Sequence, residues 1–311
     1  MDRRGRAVPA ADRERIRSLV IPPAWTGVRV APSPRAAIQA IGQDAAGRWQ
    51  YLYSAAHARR REREKFRRMQ RFGAALPRLR AAVTGHLRRP DLDREKVMAC
   101  ILRILSTCFF RPGSQEYASD DGGIGIATLR PEHVTIRSGV VIFDFPGKSG
   151  KRQRRVVRDR TVAAIVSGLK RHPAPELFQY RNGTGEFVDV KRRHINRYIK
   201  EVMGEAFSAK DFRTWAGTLV CALELGAIGA APEATGAERR RHVREAVRRT
   251  AAALGNTPAV CRSSYIHSAV IREFERGRVI RVRLRRREPS ARSRAAELAL
   301  LRLLRDSEAP S

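Results

Sequence analysis

Acidic side chains are scarce in this chain. Its 311 residues include 31 Asp and Glu against 63 Lys and Arg, which gives a formal net charge of +32. A folded protein with this excess would repel itself unless its usual partner is a polyanion. The composition therefore predicts a polyanion-binding protein, with nucleic acid as the first candidate and an anionic membrane surface as the rival.

Long apolar runs are also missing. No stretch reaches the roughly 18 apolar residues of a membrane-spanning helix, and the N-terminus has no apolar signal core. These absences weaken the membrane alternative and predict a soluble, unsecreted protein. We therefore expect a cytoplasmic location, associated with the nucleoid if the polyanion is DNA.

The cysteine spacing and the glycine-containing loops exclude several kinds of site. The four cysteines form no Cys-x-x-Cys pair, so neither a zinc site nor a disulfide framework is predicted, and a reducing cytoplasm fits. The glycine cluster at 122–125 lacks the third glycine of a dinucleotide-binding loop, and Ile142 stands where a P-loop ending in Gly147-Lys-Ser149 needs glycine. We interpret both stretches as turns and expect no nucleotide-binding loop.

A small β-sheet is predicted near the N-terminus. Residues 1–19 are charged and show no sustained apolar period, which predicts a loosely ordered arm. Apolar residues then alternate with polar ones, and turn-forming residues separate the alternating segments. This pattern predicts three antiparallel strands around residues 28–30, 38–40 and 49–53.

The last of these strands carries polar groups that suit DNA. Gln50, Tyr51 and Tyr53 place an amide and two phenols on a surface beside Arg48, and such groups contact base edges and phosphates. The alternative is that both tyrosines are half-buried residues of the sheet.

From residue 58 onwards the pattern is mostly helical. An arginine-rich run with opposite charges at i,i+3 and i,i+4 predicts a helix with a solvated, cationic face. Apolar periodicity predicts further helices, and three short strands are predicted near 134–136, 140–145 and 155–157. We therefore predict an α+β protein. A small antiparallel β-sheet domain (1–57) precedes a mostly α-helical domain (58–311) that contains a small three-stranded sheet.

Three basic residues occupy positions where a side chain can be held against an anion. Arg111 follows a predicted helix that the next Pro-Gly pair stops, and Lys148 lies at a hairpin tip. Arg213 falls in the first turn of a helix if Asp211 is the N-cap, and a cation there gains nothing from the helix dipole, so a phosphate partner explains it better. Taken singly, Arg111 could cap its helix and Lys148 could be a plain surface lysine.

The segment 254–265 brings a side-chain amide and a tyrosine hydroxyl into one local unit. Gly255-Asn-Thr-Pro258 interrupts a helix and a new helix follows, so that Tyr265 comes nine residues after Asn256. The interruption could hold Asn256 near Tyr265. The alternative is an ordinary loop followed by a tyrosine that packs on an amphipathic helix.

Together these motifs resemble the signature of the poxvirus and bacterial type IB DNA topoisomerases. The matching elements, in order, are Arg111 in Phe-Phe-Arg-Pro-Gly, Lys148 in the hairpin, Lys210-Asp-Phe-Arg213, and Gly-Asn-Thr-Pro with Tyr265. The poxvirus pattern has histidine where this chain has Asn256, whereas the bacterial branch resembles this chain there. Asparagine can still donate a hydrogen bond to a phosphate oxygen, but it cannot titrate.

The resemblance extends over nearly the whole chain. Ile21-Pro-Pro-Ala-Trp25, and Gln50-Tyr51 with Tyr53, resemble the DNA-gripping domain at the N-terminus of that family. Tyr117 resembles a DNA-contacting position after the first arginine. The resemblance thus implies that 1–57 grips DNA and that 58–311 is the catalytic domain.

The resemblance also implies a reaction. Tyr265 would attack a DNA phosphodiester and form a 3′-phosphotyrosyl enzyme with a free 5′ hydroxyl, and strand rotation and resealing would relax supercoils without ATP. Arg111, Arg213 and Asn256 would stabilise charge on the non-bridging oxygens, and Lys148 would protonate the leaving oxygen with Lys210 as its partner. We expect no required cofactor or metal, with a divalent cation at most a stimulant. The expected partner is double-stranded DNA, held by a monomer that forms a clamp around it.

Two other classes of protein remain open on the sequence alone. A tyrosine recombinase shares the arginine, lysine and tyrosine constellation, but it usually shows a His-x-x-Arg box where this chain has Lys210-Asp-Phe-Arg213. A non-enzymatic basic DNA-binding protein would explain the charge but not the matched positions.

Overall fold

The computed structural model describes residues 8–113, 123–147, 150–172, 174–230, 233–282 and 294–307. The chain divides into two structural units, residues 1–67 and 68–311, with the boundary inside the long helix α2 (Ala55–His86). Within the described ranges, no helix is long and apolar enough to cross a membrane.

A three-stranded antiparallel sheet forms the centre of the first unit. Its strands are β1 (Thr26–Val30), β2 (Ile38–Gln43) and β3 (Trp49–Tyr53), and β2 lies in the middle. The predicted strands are therefore confirmed. Glycine at position 42 of β2 leaves room for the ring of Trp25, because a Cβ atom at this position would lie 2.8 Å from the ring.

Residues 10–18 form a helix, α1 (Ala10–Ser18), so the prediction of a loosely ordered arm is wrong for this part of the N-terminus. Arg15 donates hydrogen bonds to Oε1 of Gln39 and to the carbonyl of Ala31, both at 2.9 Å. Gln39 is only 4% exposed and donates in turn to carbonyls of the preceding turn. These hydrogen bonds hold α1 on the sheet, and apolar periodicity cannot reveal them.

Helices dominate the second unit. After α2 they are α3 (Arg94–Cys108), α4 (Arg160–Lys170), α5 (Arg192–Met203), α6 (Ala209–Ile228), α7 (Gly236–Leu254), α8 (Pro258–Tyr265), α9 (Ser268–Glu275) and α10 (Arg294–Asp306). Helix α3 is central, because its apolar residues are almost fully buried and it packs against α4, α5 and α6. Its N-cap is Asp93, which accepts a hydrogen bond from the amide of Lys96 at 2.9 Å.

The predicted three-stranded sheet is also present in the second unit. It consists of β4 (Val134–Arg137), β5 (Val140–Pro146) and β6 (Arg152–Arg158), paired antiparallel with β5 in the middle. A second hairpin, β7 (Gln179–Arg181) with β8 (Phe187–Asp189), was not predicted, because strands of three residues are too short to show alternation. The α+β organisation predicted from the sequence is confirmed.

Candidate active site

Arg111 is positioned by the residues immediately before it. Helix α3 ends at Cys108, and Phe109 takes the left-handed conformation with φ of 57°, so the helix stops before the Pro-Gly pair that was expected to stop it. Phe110 then packs edge-on against Phe143 and Phe145 of β5, with ring centroids 5.2 and 5.1 Å apart. A buried aromatic residue directly before Arg111 thus anchors this segment on β5.

Arg213 lies inside the unit rather than on its surface. It is 2% exposed, and its guanidinium donates to the carbonyl of Phe109 and, at 3.0 Å, to that of Leu254. The same side chain therefore ties the end of α3 to the end of α7. The expectation that Asp211 is the N-cap of α6 is wrong. Ser208 is the N-cap, and Asp211 accepts from the amide and the hydroxyl of Ser208, each at 2.9 Å.

Asn256 is presented by the turn that ends α7. Gly255 has φ of 67°, which favours glycine, and this left-handed residue reverses the chain directly before Asn256. The side-chain oxygen of Asn256 accepts a hydrogen bond from Nη2 of Arg111. The segment that could have been an ordinary loop is therefore a defined turn, and this turn places the Asn256 amide against Arg111.

Tyr265 is the last residue of α8 and is half-buried. The guanidinium of Arg213 lies over its ring, 5.0 Å from the centroid. The backbone of Tyr265 is fixed on α6, because Thr218 Oγ1 donates to the Tyr265 carbonyl at 3.2 Å and a Cβ atom at Gly217 would lie 2.7 Å from that oxygen. Sequence reasoning missed both α6 residues, although a glycine inside an apolar helix is a signal of close backbone approach.

The electrostatics of this cluster favour an anion. Burial lowers the pKa of Arg111, and the neighbouring Arg213 lowers it further, while Tyr265 acts in the opposite direction. Among the described residues, neither Arg111 nor Arg213 forms an ion pair with a carboxylate. Nε of Arg213 and Nδ2 of Asn256 are buried donors that have no hydrogen-bond partner in the described part of the chain. Unpaired donors beside two cations suit the oxygens of a phosphate group.

The structure describes only one of the other two candidates of the catalytic set. Lys210 is exposed in the first turn of α6, and no hydrogen bond between described residues links its side chain to Arg111, Arg213, Asn256 or Tyr265. Lys148, on the predicted hairpin tip, and Tyr117 lie outside the described residues.

In the first unit, the tyrosines of β3 are exposed. Tyr51 and Tyr53 are 47% and 39% exposed, their rings are stacked, and the guanidinium of Arg61 lies over Tyr53. Trp49, which was not predicted as a DNA contact, lies on the same exposed face of β3 as the two tyrosines. The expectation that Gln50 shares this surface is wrong, because the pleat turns it to the opposite face, where it donates to Asp44 at 2.9 Å.

Known proteins match most of this chain. Residues 54–283 match the family model of the eukaryotic DNA topoisomerase I catalytic core, and residues 1–44 match that of the bacterial DNA topoisomerase IB N-terminal domain. DNA topoisomerase 1B of Acanthamoeba polyphaga mimivirus is 34% identical over 275 residues, covering 86% of this chain and 81% of the relative. DNA topoisomerase 1B of vaccinia virus (strain Copenhagen) is 20% identical over 236 residues, covering 74% and 70%. With a catalytic-core match over more than half of its length and a viral relative of this identity, the chain belongs to the type IB DNA topoisomerase family and is an enzyme.

Proposed function

We propose that this protein relaxes supercoiled double-stranded DNA by transient nicking of one strand, without ATP and without a required metal ion. The observation that carries this proposal is the cluster around Tyr265. The guanidinium of Arg213 lies over the phenol ring, and Arg111 donates a hydrogen bond to Asn256. Two buried donors, Nε of Arg213 and Nδ2 of Asn256, have no hydrogen-bond partner among the described residues. This arrangement suits a phosphodiester whose phosphorus faces a nucleophilic hydroxyl.

The proposed reaction begins with attack of the Tyr265 oxygen on a DNA phosphorus atom, and the phenol proton passes to solvent water as the new P–O bond forms and the bond to the 5′ oxygen breaks. Negative charge then builds on the two non-bridging oxygens, where the guanidinium group of Arg111 and Nε of Arg213 donate charge-assisted hydrogen bonds and Asn256 donates a neutral one. Because these groups hold their positions before the substrate arrives, little reorganisation accompanies the transition state. The guanidinium groups also supply the positive charge that a metal ion supplies in other phosphoryl-transfer enzymes.

The departing 5′ oxygen needs a proton. We assign this role to Lys148, with Lys210 as its partner in the relay, since both are side chains whose ammonium group can donate. The product is a 3′-phosphotyrosyl enzyme and a free 5′ hydroxyl. The covalent bond retains the energy of the phosphodiester, so the nicked strand can rotate and be resealed by the reverse reaction without ATP.

Binding is proposed to involve the whole chain as a monomer that forms a clamp around the duplex. The net charge of +32 attracts the phosphate backbone. The exposed face of β3, with Tyr51 and Tyr53, is the contact we propose for the DNA-gripping domain at 1–57, and Tyr117 is a further proposed contact. The protein would act in the cytoplasm at the nucleoid.

Plasmid relaxation by the purified protein tests this function. We expect a negatively supercoiled plasmid to be relaxed in steps of one linking number, with EDTA present and no nucleotide added. A requirement for paired recognition sites, with recombined products, would instead identify a tyrosine recombinase. Binding without any change in topology would leave only a basic DNA-binding protein and would contradict the proposal.

A further inference from the structure

The turn that presents Asn256 depends on how α7 ends. The last carbonyls of a helix have no partner within the helix. Two of them are satisfied by the turn itself, since the amide of Asn256 donates to Ala251 at 2.9 Å and that of Gly255 donates to Ala252 at 3.2 Å. This is the pattern of a glycine-terminated helix. The carbonyls of Ala253 and Leu254 remain.

Two arginines from other elements satisfy these remaining carbonyls. Nη2 of Arg213, on α6, donates to Leu254 at 3.0 Å, and Nη2 of Arg155, on β6, donates to Ala253 at 3.0 Å. Cations at a helix C-terminus are favourable because the helix dipole is negative there. Arg213 belongs to the proposed site, whereas Arg155 lies outside it.

Arg155 is not explained as a surface charge or as half of an ion pair. It is half-buried, burial lowers its pKa, and the nearby Arg213 lowers it further. Among the described residues it forms no salt bridge, in contrast to Arg152 on the same strand, which pairs with Asp144 at 2.7 Å. Its hydrogen bonds go to the helix end, to a neighbouring side-chain amide and, from Nη1, to the carbonyl of Arg154 at 3.0 Å.

That amide belongs to Gln153, which provides a second contact between β6 and the same turn. Nη2 of Arg155 donates to Oε1 of Gln153 at 3.2 Å. The Gln153 side chain lies directly against Gly255, where a Cβ atom would be 2.6 Å from Oε1 and 2.8 Å from Nε2. Strand β6 thus braces the residues on both sides of Leu254, immediately before Asn256.

We propose that Arg155 is a positioning residue, which acts through the C-terminal turn of α7 to hold Asn256 in reach of Arg111 and of the scissile phosphate. This inference rests on the proposed function and adds a residue that does not itself touch the DNA. Without Arg155, one carbonyl of α7 loses its donor and Oε1 of Gln153 loses the hydrogen bond that Arg155 donates, so the turn gains freedom. A displacement of about 1 Å at a reacting group can lower a rate by about 100-fold.

The test compares Arg155→Met with Arg154→Met, because Arg154 is exposed on the same strand and each change removes one positive charge. Formation of the covalent adduct is measured in a single turnover on a duplex whose cleavage cannot be reversed, and DNA affinity is measured separately. We expect Arg155→Met to react about 10- to 100-fold more slowly. Arg154→Met should keep the wild-type rate, and the two variants should have equal affinities. Arg155→Lys, which keeps one donor, should recover part of the rate.

A double-mutant cycle separates positioning from general destabilisation. If Arg155 acts through Asn256, then Arg155→Met should slow the Asn256→Ala variant by less than about twofold, because the group being positioned is already gone. Full multiplication of the two losses would overturn the proposal, as would a wild-type rate in Arg155→Met. If Arg155→Met fails to fold, the same cycle is run with Arg155→Lys. A wild-type protein that forms no adduct at all would instead refute the proposed function.

Discussion

Replacement of Asn256 tests the anion site most sharply, because this side chain has two separate tasks in the structure. Its Oδ1 accepts from Arg111, and its Nδ2 is a buried donor without a partner among the described residues. Asn256→Ala removes both. Loss of one donor to a developing oxyanion typically lowers a rate by on the order of 10²- to 10³-fold, or about 2.7–4 kcal/mol. We therefore expect cleavage to slow by at least about 100-fold.

Two further variants distinguish the tasks. Asn256→Asp keeps the acceptor for Arg111, but it has no donor and places a negative charge beside the phosphate, so it should be at least as slow as Asn256→Ala. Asn256→His keeps a ring N–H donor and should retain much of the wild-type rate. DNA affinity should be nearly equal in all three variants, since each changes only one of the many contacts with the DNA phosphate backbone that together dominate affinity.

The assay is single-turnover cleavage of an end-labelled duplex at saturating enzyme, with affinity from a separate titration. Equal rates for the wild type and Asn256→Ala would remove Asn256 from the site. A fast Asn256→Asp variant would show that Asn256 only orients Arg111, which would refute the assignment of Nδ2 to a phosphate oxygen.

Three other predictions address the remaining parts of the account. Lys148→Ala should be slow on ordinary DNA and much less impaired when the 5′ bridging oxygen is sulfur, a better leaving group, and no relative rescue would rule out a general-acid role. Gly217→Ala should lower the cleavage rate by about 10- to 100-fold, because the added methyl group would push on Tyr265. Gly85→Ala, whose methyl group would meet nothing within 4 Å, should leave the cleavage rate unchanged, and thermal unfolding would show that both variants are folded. The logarithm of the DNA-binding constant should fall linearly with that of the salt concentration, and neutralising the exposed Arg59 and Arg63 should flatten the slope by up to about 1.8, at about 0.9 per phosphate contact. A salt-independent binding constant would contradict the electrostatic account.

The sequence was sufficient for the secondary structure wherever one face of an element is apolar. The strands of both three-stranded sheets and the main helices follow from such periodicity. Prediction from the sequence failed where polar contacts determine the structure. One case is α1, which a hydrogen bond between Arg15 and Gln39 holds in place, and the other is the N-cap of α6, which is Ser208 and not Asp211. Both depend on which donors meet which acceptors in space, and residue spacing does not report that.

The candidate site, too, was predicted from the sequence in part. The resemblance to the type IB topoisomerase signature predicted that Arg111, Arg213, Asn256 and Tyr265 act together, and the structure brings these four side chains into one cluster. The sequence did not predict the contacts that hold them, because those come from elements distant in sequence. Arg155 is one of a run of basic residues on β6, and only its contact with the end of α7 distinguishes it from its exposed neighbour Arg154.

Mapping of the covalent intermediate tests whether Tyr265 is the nucleophile. The enzyme is mixed with a labelled duplex, the reaction is stopped with denaturant, and the protein-linked DNA is digested and mapped. We predict that the 3′ end of the cleaved strand is attached to the peptide containing Tyr265, and that Tyr265→Phe binds DNA normally but forms no adduct and relaxes no plasmid. An adduct that persists in Tyr265→Phe would assign the nucleophile to another tyrosine and contradict the account.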